Sequence, residues 1–445
     1  MRRALISALL LLTALPASAA DSHAQSSWPR IRKARIQQLL PRAMELAQVD
    51  AWVVICREND NDPLAMHVGC ENTGAQAAFL FLKQKGGLRS LALSPAGEAR
   101  ALQDVGPFDE VVSLERGTDL FARVATALAE AKPQRLAVNS SSHLTVADGL
   151  SATQRQRLEA ALSPALRRRI VSSEELVFEW LSVKLPEEVE IMRRAAALTS
   201  SLQEEAYRTV VPGKTRDSDV ARFLKKRMAE LGVEDGWQPD QNPNVNSGPD
   251  RGHSHATDRV IQPGDFIQMD FGIKVEGVWG TDIQRFAYVL APGETQPPAE
   301  ALEKWEKSKK GSRVALAAMK PGVRGYDVDK AQRDWMREAG SEPVMWGTGH
   351  PVGYWAHDVG PALSGAQKGK PPEGWALRPL RPGQVFGFDG FFAWKLATPG
   401  ETKTLSVEEM AVVTEKGAEY LIPPQEALIL IPSPAEQPRQ PGSGG

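Results

Sequence analysis

The chain has little of several features that would place a protein in a class at once. Its 445 residues include only two cysteines and seven histidines, and the formal net charge is −2. Two cysteines are too few for a cysteine-rich zinc cluster. The charge balance gives no electrostatic footprint for a nucleic-acid partner, and no repeat of short period is present. Function must therefore be inferred from local sites.

Long apolar runs are confined to the N-terminus. Two arginines at positions 2 and 3 precede an apolar run over residues 4–15, and the small residues at 17–19 are typical of a signal cleavage site. The alternative, a membrane anchor, would need a longer run to cross a bilayer. We therefore expect residues 1–20 to be a cleaved signal peptide. The mature protein is then expected to be periplasmic or secreted, without a membrane partner.

Cys56 and Cys70 are compatible with two states. Export would permit a disulfide between them. Cys56 also ends an apolar, strand-like run that begins at Ala51, so a buried free thiol is the alternative. The sequence alone leaves both open.

Apolar periodicity divides the chain into two parts near residue 180. Before it, strand-like runs alternate with helical patterns, which indicates an α/β domain over residues 21–180. The expected strands are 51–56, 77–82, 88–93 and 135–139, and the expected helices are 28–48, 119–131 and 146–162. Pro186 followed by two acids marks a new helix start. Further helices are expected at 186–209, 217–231, 299–319 and 325–339. The Pro/Ser/Gly-rich residues 433–445 are expected to be a disordered tail.

Two aspartates stand where a hairpin would bring them together. Asp270 ends one strand-like run and Asp282 starts the next, with Gly272 and Gly277 between them. Carboxylates held side by side repel each other unless a proton or a cation lies between them. A single aspartate beside a strand more often caps a turn, so this pair needs further support.

Three later segments supply that support. His350 lies in a glycine-rich stretch and His357 follows seven residues later. Asp389 ends an apolar strand that follows a turn, and Glu408 begins another strand. One histidine or acid alone would be weak evidence. Together with the aspartate pair, these residues indicate a cluster that binds metal ions.

In this order and context, Asp270, Asp282, His350, Asp389 and Glu408 resemble the metal ligands of the pita-bread metallopeptidases. That family includes aminopeptidase P, prolidase and methionine aminopeptidase, and its relative creatinase works without metal. The resemblance covers about residues 184–415, and the first domain more loosely resembles the creatinase-type N-terminal domain. It implies an α+β fold class, with a pita-bread domain over residues 184–432 preceded by the smaller α/β domain.

The resemblance also implies an activity. The family pattern is metal-dependent hydrolysis of the peptide bond before proline, by an Xaa-Pro aminopeptidase or an Xaa-Pro dipeptidase, with a hydroxide bridging two divalent ions. An oxygen-rich ligand set favours Mn²⁺, with Co²⁺, Fe²⁺ or Zn²⁺ as alternatives. Asp389 would also carry the proton, and His253 and His357 would contact the substrate. His255 competes with His253 for that role.

Partners follow from the same resemblance. It implies a proline-containing peptide as substrate and a homodimer as the assembly. Four tryptophans are candidates for a proline pocket, with core packing as the alternative for each. They are Trp279, Trp346, Trp355 and Trp394.

Three differences from the family pattern stand out. The interval from Asp270 to Asp282 is one residue longer than in aminopeptidase P. Asp389 and Gly390 stand where the family has Glu and Pro, and Ser406 replaces an arginine. These differences keep two alternatives open, namely a non-peptidase amide hydrolase on the same fold and a catalytically impaired peptide-binding homologue. A kinase interpretation of the Asp-Phe-Gly triplet at 270–272 is excluded because the other kinase motifs are missing.

Overall fold

The computed structural model describes residues 26–70, 73–250, 256–367 and 374–433. The expected signal peptide, His253, His255 and nearly all of the expected tail lie outside these ranges. In the described residues the α-helices are α1 (Trp28–Gln38), α2 (Leu40–Leu46), α3 (Ala65–Val68), α4 (Ala96–Val105), α5 (Leu120–Ala131), α6 (Ala152–Ala161), α7 (Pro164–Arg167), α8 (Glu174–Leu181), α9 (Pro186–Tyr207), α10 (Asp217–Leu231), α11 (Ala299–Ala318) and α12 (Gly325–Glu338).

The strands of these residues form four sheets. They are β1 (Ala51–Arg57), β2 (Gln76–Gln84), β3 (Gly87–Pro95), β4 (Glu110–Leu114), β5 (Leu136–Val138), β6 (Ile170–Ser172), β7 (Glu234–Asp235), β8 (Asn244–Ser247), β9 (Phe266–Phe271), β10 (Ile273–Val275), β11 (Trp279–Gly280), β12 (Ile283–Val289), β13 (Gly349–Pro351), β14 (Val385–Lys395), β15 (Thr402–Thr414), β16 (Gly417–Tyr420) and β17 (Ile429–Ile431).

The first part of the chain is built on a six-stranded mixed sheet in the order β4-β3-β2-β1-β5-β6. Side chains alternate along β1, so Ala51, Val53 and Ile55 pack with α5 and α6 on one face. Trp52 and Val54 face the opposite side, where α1, α2 and α8 cover them. Because both faces are buried, the central strands are continuous apolar runs, as the sequence predicted. The edge strands β4 and β6 are short and partly exposed, and their weak patterns did not predict them.

The second part holds two four-stranded sheets, β17-β12-β9-β8 and β13-β14-β15-β16, and a ribbon in the order β11-β10-β7. Helix α9 supports the first sheet with two buried side chains. Gln203 donates to the carbonyls of Met269 and Ile283 at 3.0 and 2.8 Å. The Tyr207 hydroxyl donates to the carbonyl of Arg285 at 2.6 Å. These contacts fix β9 and β12 relative to each other. Asp270 lies in β9 and Asp282 directly precedes β12, so the two aspartates are positioned by the same contacts.

One hydrophobic core joins the two parts. Trp28 of α1 contacts Trp279 and Tyr354, with ring centroids 5.7 Å apart in both pairs. Buried charges cross the same junction. Arg35 of α1 pairs with Glu188 of α9 at 2.5 Å, and both side chains are almost fully buried. Trp279 therefore belongs to the core between the two parts of the chain. Core packing was the alternative to a place in a proline pocket.

Several local expectations need adjustment. The helix expected over 28–48 is two helices. The first ends before Leu39, and Pro41 lies in the first turn of α2. In the helix expected over 146–162, only Ala152–Ala161 is α-helical. A separate 3₁₀ turn at Thr145–Ala147 precedes it. Cys56 and Cys70 are joined in a disulfide. None of the helices in the described ranges is long and apolar enough to cross a membrane.

Candidate metal centre

The aspartate pair lies on adjacent antiparallel strands, β9 and β12. Asp270 is directly opposite Gln284, and Asp282 precedes Gln284 by two residues on the same face. The connection between them carries the short strands β10 and β11, which turn at Glu276 and Gly277. Both turn residues have positive φ, at 51° and 65°, as a tight hairpin turn requires. The predicted hairpin is therefore present and brings the two carboxylates to one face.

The remaining candidates lie on the other four-stranded sheet. Asp389 of β14 is directly opposite Glu408 of β15, and His350 of β13 is opposite Gly387 of β14. Because Gly387 and Asp389 are two residues apart, these side chains share a face. A Cβ placed on Gly387 would lie 3.1 Å from Glu408 Oε1 and 3.4 Å from His350 Cε1. The absence of a side chain at 387 thus lets His350 and Glu408 approach each other.

The two sheets bring the candidates into one cluster. His350 Nε2 lies 3.7 Å from both Asp282 Oδ2 and Glu408 Oε1. Two sets of three residues have ligand atoms within 4.8 Å of one another: Asp270, Asp282 and Glu408, and Asp282, His350 and His357. Asp282 belongs to both sets. Each set could hold a divalent ion, because carboxylate oxygens and imidazole nitrogens are suitable donors for such ions.

Burial makes this cluster unfavourable as a group of free carboxylates. Burial raises the pKa of Asp282 well above its usual range, and the carboxylates of Asp270 and Asp389 raise it further. Burial also raises the pKa of Glu408 well above its usual range, and Asp282, Asp389 and Asp270 add to that effect. Buried like charges of this kind require protons or cations. The donor set and its burial therefore both fit bound divalent metal ions.

The cluster lies in a cleft of about 1150 Å³. Trp237, Trp346 and Trp355 line its walls, and Trp355 is 56% exposed. Trp346 and Trp355 are thus available to a ligand, as proposed from the sequence, and Trp237 was not anticipated. The cleft lining does not include Trp394, which packs against Phe266 with ring centroids 5.9 Å apart.

The second half of the chain matches the sequence model of a known protein family. The family described as Metallopeptidase family M24 matches residues 190–415, about half of the chain. The protein belongs to this family. The match covers every candidate ligand, most of helix α9 and the whole of helices α10 to α12.

Individual relatives agree with that assignment. The "Probable dipeptidase PepE" of Mycobacterium tuberculosis is 27% identical over 253 residues, which are 56% of this chain and 61% of that protein. The match thus spans less than two thirds of that relative. The methionine aminopeptidase of Helicobacter pylori is 25% identical over 240 residues, 53% of this chain and 90% of that protein.

Likeness to a solved structure extends over both parts of the chain. The Xaa-Pro dipeptidase from Bacillus anthracis superposes with a TM-score of 0.67 at 20% identity, covering 91% of this chain and 100% of that one. This likeness confirms the predicted fold class, an α+β pita-bread M24 domain preceded by an α/β domain.

A hydrogen-bonded group beside Asp389 was missed by the sequence analysis. Gln284 Nε2 donates to Asp389 Oδ1 at 3.4 Å. Its Oε1 accepts from Ser406 Oγ at 2.6 Å and from Gln268 Nε2 at 2.6 Å. Ser406 replaces the family arginine, so a neutral group now occupies the surroundings of the shorter Asp389. Only the strand register, which a single sequence does not show, could have indicated it.

A second group holds the strand that carries His350. Buried Asp329 of α12 accepts hydrogen bonds from the backbone N–H and the hydroxyl of Thr348, at 3.1 and 2.7 Å. Arg333 pairs with Asp329 at 3.0 Å, and the carbonyl of Thr348 accepts from the N–H of Asp389 at 2.7 Å. The M24 domain thus links α12, β13 and β14 directly behind the cluster.

The cleft brings together the predicted site residues that lie within the described ranges. Asp270, Asp282, His350, Glu408 and Asp389 line one cleft, and His357 lines it beside His350 with ring centroids 4.0 Å apart. Asp389 belongs to neither of the two close ligand sets. His253 lies outside the described residues.

Proposed function

We propose that the protein is a divalent-metal-dependent peptidase that hydrolyses the peptide bond before proline. The observation that carries this proposal is the pair of ligand sets that share Asp282 inside a cleft. The names of an M24 relative and of a structural neighbour, a dipeptidase and an Xaa-Pro dipeptidase, support it. Since the match spans only part of that relative, the activity remains our inference for this chain.

The five residues of the cleft that would hold the metal ions are Asp270, Asp282, His350, Asp389 and Glu408. Bound divalent ions would polarise the scissile carbonyl and make water a better nucleophile near neutral pH. The oxygen-rich ligand set favours Mn²⁺ among the candidates, with Co²⁺, Fe²⁺ and Zn²⁺ behind it. Because Asp282 and Glu408 are buried beside other carboxylates, which raises the pKa of both, their ionised state is unfavourable without bound cations.

The protein's own side chains would carry out the remaining steps. A carboxylate oxygen of Asp389 would take the proton from the attacking water and deliver it to the proline nitrogen as the C–N bond breaks. His357, which is exposed in the cleft, would donate a hydrogen bond to the carbonyl oxygen as negative charge develops there. The flat faces of Trp346 and Trp355 would accept the proline ring.

Activity on defined peptides tests this proposal. The purified protein, loaded with Mn²⁺, should release alanine from Ala-Pro or from Ala-Pro-Ala, and Asp282→Ala should abolish this release. A Met-Ala-Ser peptide should remain intact, since a methionine aminopeptidase is also among the relatives. Cleavage of Met-Ala-Ser alone would replace the proline specificity with that activity. No cleavage of any peptide under any of the four metals would refute the peptidase.

One observation favours a second candidate, a peptide-binding homologue with an impaired site. Asp389 is one methylene shorter than the family's glutamate and stands outside both ligand sets. If this candidate is right, the wild-type protein binds Ala-Pro without cleaving it. Asp389→Glu would then restore cleavage, because the longer side chain brings its carboxylate toward the ions.

We further propose a homodimer in the periplasm or outside the cell. The disulfide between Cys56 and Cys70 supports an oxidising compartment. Fractionation of the source cells, with thiol labelling before and after reduction, checks the location. Light scattering of the purified protein checks the assembly.

A further inference from the structure

Lys274 is the only lysine or arginine among the described residues that line the cleft. It lies in the middle of β10, opposite Gly280 of β11 on one side and Glu234 of β7 on the other. The other charged side chains of the lining are carboxylates, apart from the two histidines of the cluster. Lys274 is therefore the fixed positive charge that a ligand in this cleft would meet.

The surroundings of Lys274 leave its charge available to a ligand. The residue is 7% exposed, yet among the described residues it forms no salt bridge and donates no hydrogen bond. Its Nζ lies 3.4 Å from the ring centroid of Trp355. Cation–π contact gives partial compensation, but a largely buried ammonium is best stabilised by an anion. Burial lowers the pKa of Lys274, while Glu234 and Asp358 act in the opposite direction.

Strand geometry places Lys274 near the metal cluster. Gly280 pairs with Lys274, and Asp282 follows Gly280 by two residues. Given 3.8 Å per Cα step and the spacing of paired strands, the Cα atoms of Lys274 and Asp282 are at most about 13 Å apart. The N–H of Gly280 also donates to the carbonyl of Gly353 at 2.7 Å. This contact docks the β10–β11 hairpin on the loop that carries Trp355 and His357.

We propose that Lys274, supported by the ring of Trp355, binds the free C-terminal carboxylate of a short peptide and makes the protein a dipeptidase. This inference rests on the proposed function. In an Xaa-Pro dipeptide the carboxylate follows the scissile bond by a single residue, so it stays within reach of a lysine side chain. Each additional residue moves the carboxylate about 3.3–3.6 Å further along an extended chain. An amidated peptide offers Lys274 no anion.

A comparison of acid and amide substrates tests the assignment. We expect the wild-type protein to cleave Ala-Pro with a higher kcat/KM than Ala-Pro-amide or Ala-Pro-Ala. Lys274→Met keeps the aliphatic stem but removes the charge. It should lower kcat/KM for Ala-Pro about 10- to 100-fold, as loss of a charged hydrogen bond does. It should change the value for Ala-Pro-amide by no more than about twofold, and Lys274→Arg should retain most of the preference for the acid.

Lys304→Met is the matched control. Lys304 also lies over a tryptophan, with its Nζ 4.4 Å from the ring centroid of Trp394, but it does not line the cleft. This variant should cleave both substrates as the wild type does. Equal losses for acid and amide in Lys274→Met, or no loss for either, would overturn the carboxylate assignment while leaving the peptidase intact.

A binding experiment separates this inference from the proposed activity. The probes are Ala-Pro analogues with a methylene in place of the scissile carbonyl, as free acid and as amide, titrated into the protein by calorimetry. We expect the acid to bind more tightly to the wild type and the difference to vanish in Lys274→Met. If no peptide is cleaved, the proposed function fails, and this titration still decides whether Lys274 recognises a carboxylate. Equal binding of acid and amide to the wild type refutes it.

Discussion

Gln284 connects the two sheets of the M24 domain by donating from Nε2 to Asp389 Oδ1 at 3.4 Å. The Oε1 atom of Gln284 accepts hydrogen bonds from Ser406 and Gln268. The carboxylate of Asp389, which stands where the family has a glutamate, is thus oriented by a side chain of β12, the strand that begins directly after Asp282. Residues that orient a ligand through such contacts commonly affect metal affinity as strongly as some ligands do.

Removing the amide of Gln284 tests that orientation. Gln284→Leu keeps a branched side chain, one bond shorter, and eliminates both hydrogen-bonding atoms. We expect the affinity for Mn²⁺, measured by titration calorimetry, to fall about 10- to 100-fold, with a parallel fall in kcat/KM for Ala-Pro. Gln134→Leu, at an exposed position of the first domain, should change neither. Unchanged metal affinity in Gln284→Leu would show that Asp389 does not depend on this contact.

The pH dependence of stability should reveal the buried carboxylates. Burial raises the pKa of Asp282 and Glu408 in the folded chain, so the folded metal-free protein holds protons that the unfolded chain releases. Their contribution to the free energy of unfolding is full below the unfolded pKa, about 4. It is lost as the pH rises through the raised folded values. Thermal melts in chelator should show this loss, and Glu408→Gln should reduce it.

Metal binding should reverse the same loss. Ions that bind only the folded state raise its stability by about 2.7 kcal/mol at a free concentration 100 times the dissociation constant. At pH 7 to 8, Mn²⁺ should therefore raise the melting temperature of the wild type clearly, and that of Asp282→Ala much less. Equal increases in the two proteins would mean that the ions bind elsewhere.

The buried ion pair of Arg35 and Glu188 can be tested against an exposed pair nearby, because Glu187, next to Glu188 in the sequence, pairs with Arg30. Glu188 also accepts hydrogen bonds from the Tyr354 hydroxyl at 2.8 Å and from Trp279 Nε1 at 3.2 Å. Arg35→Met leaves this carboxylate buried without its cation, and we expect a loss of about 3–5 kcal/mol in denaturant unfolding. The neighbouring pair of Arg30 and Glu187 is exposed, so Arg30→Met should change the stability very little, because solvent screens such pairs. Similar losses in both variants would contradict this account.

Gly390 explains how helix α11 approaches the strand that carries Asp389. A Cβ on Gly390 would lie 2.1 Å from Ser312 N and 2.3 Å from Ser308 O, both backbone atoms of the helix. Gly390→Ala must therefore push β14 and α11 apart. We expect a loss of several kcal/mol in stability, on the order of other overpacking changes in cores, and a loss of Ala-Pro cleavage. Gly97→Ala, at an open position of α4, should be neutral or slightly stabilising.

The sequence predicted the parts of this structure that depend on local patterns. The central strands of the first domain and helices α9 to α12 were recognised because their apolar periodicity is strong. The candidate ligands were proposed because each lies near a turn-like segment at the expected end of a strand, although Asp389 and Glu408 lie inside long strands. The short edge strands β4 and β6 have no such pattern and were missed.

Residues that act through contacts between distant segments could not be recognised in this way. Gln284 and Ser406 meet only because two sheets pack together. Nothing in the local sequence marks Gln284, and Ser406 stood out only as a departure from the family pattern, without its partner. Glu188 looked like an ordinary acid at a helix start, yet tertiary packing buries it completely. Lys274 reads as one charged residue in a hairpin until the cleft around it is seen.

The core at the junction also constrains the order in which this protein can fold. Trp28, near the start of the described chain, packs against Tyr354, which is synthesised much later. Such non-local contacts close a long loop and slow folding. Until the segments that carry Trp279 and Tyr354 have been synthesised, the first domain exposes the aromatic face formed by Trp28 and Trp180. During that interval the unfinished protein is a target for aggregation and proteolysis. The candidate metal centre is therefore complete only when synthesis and folding of both halves are complete.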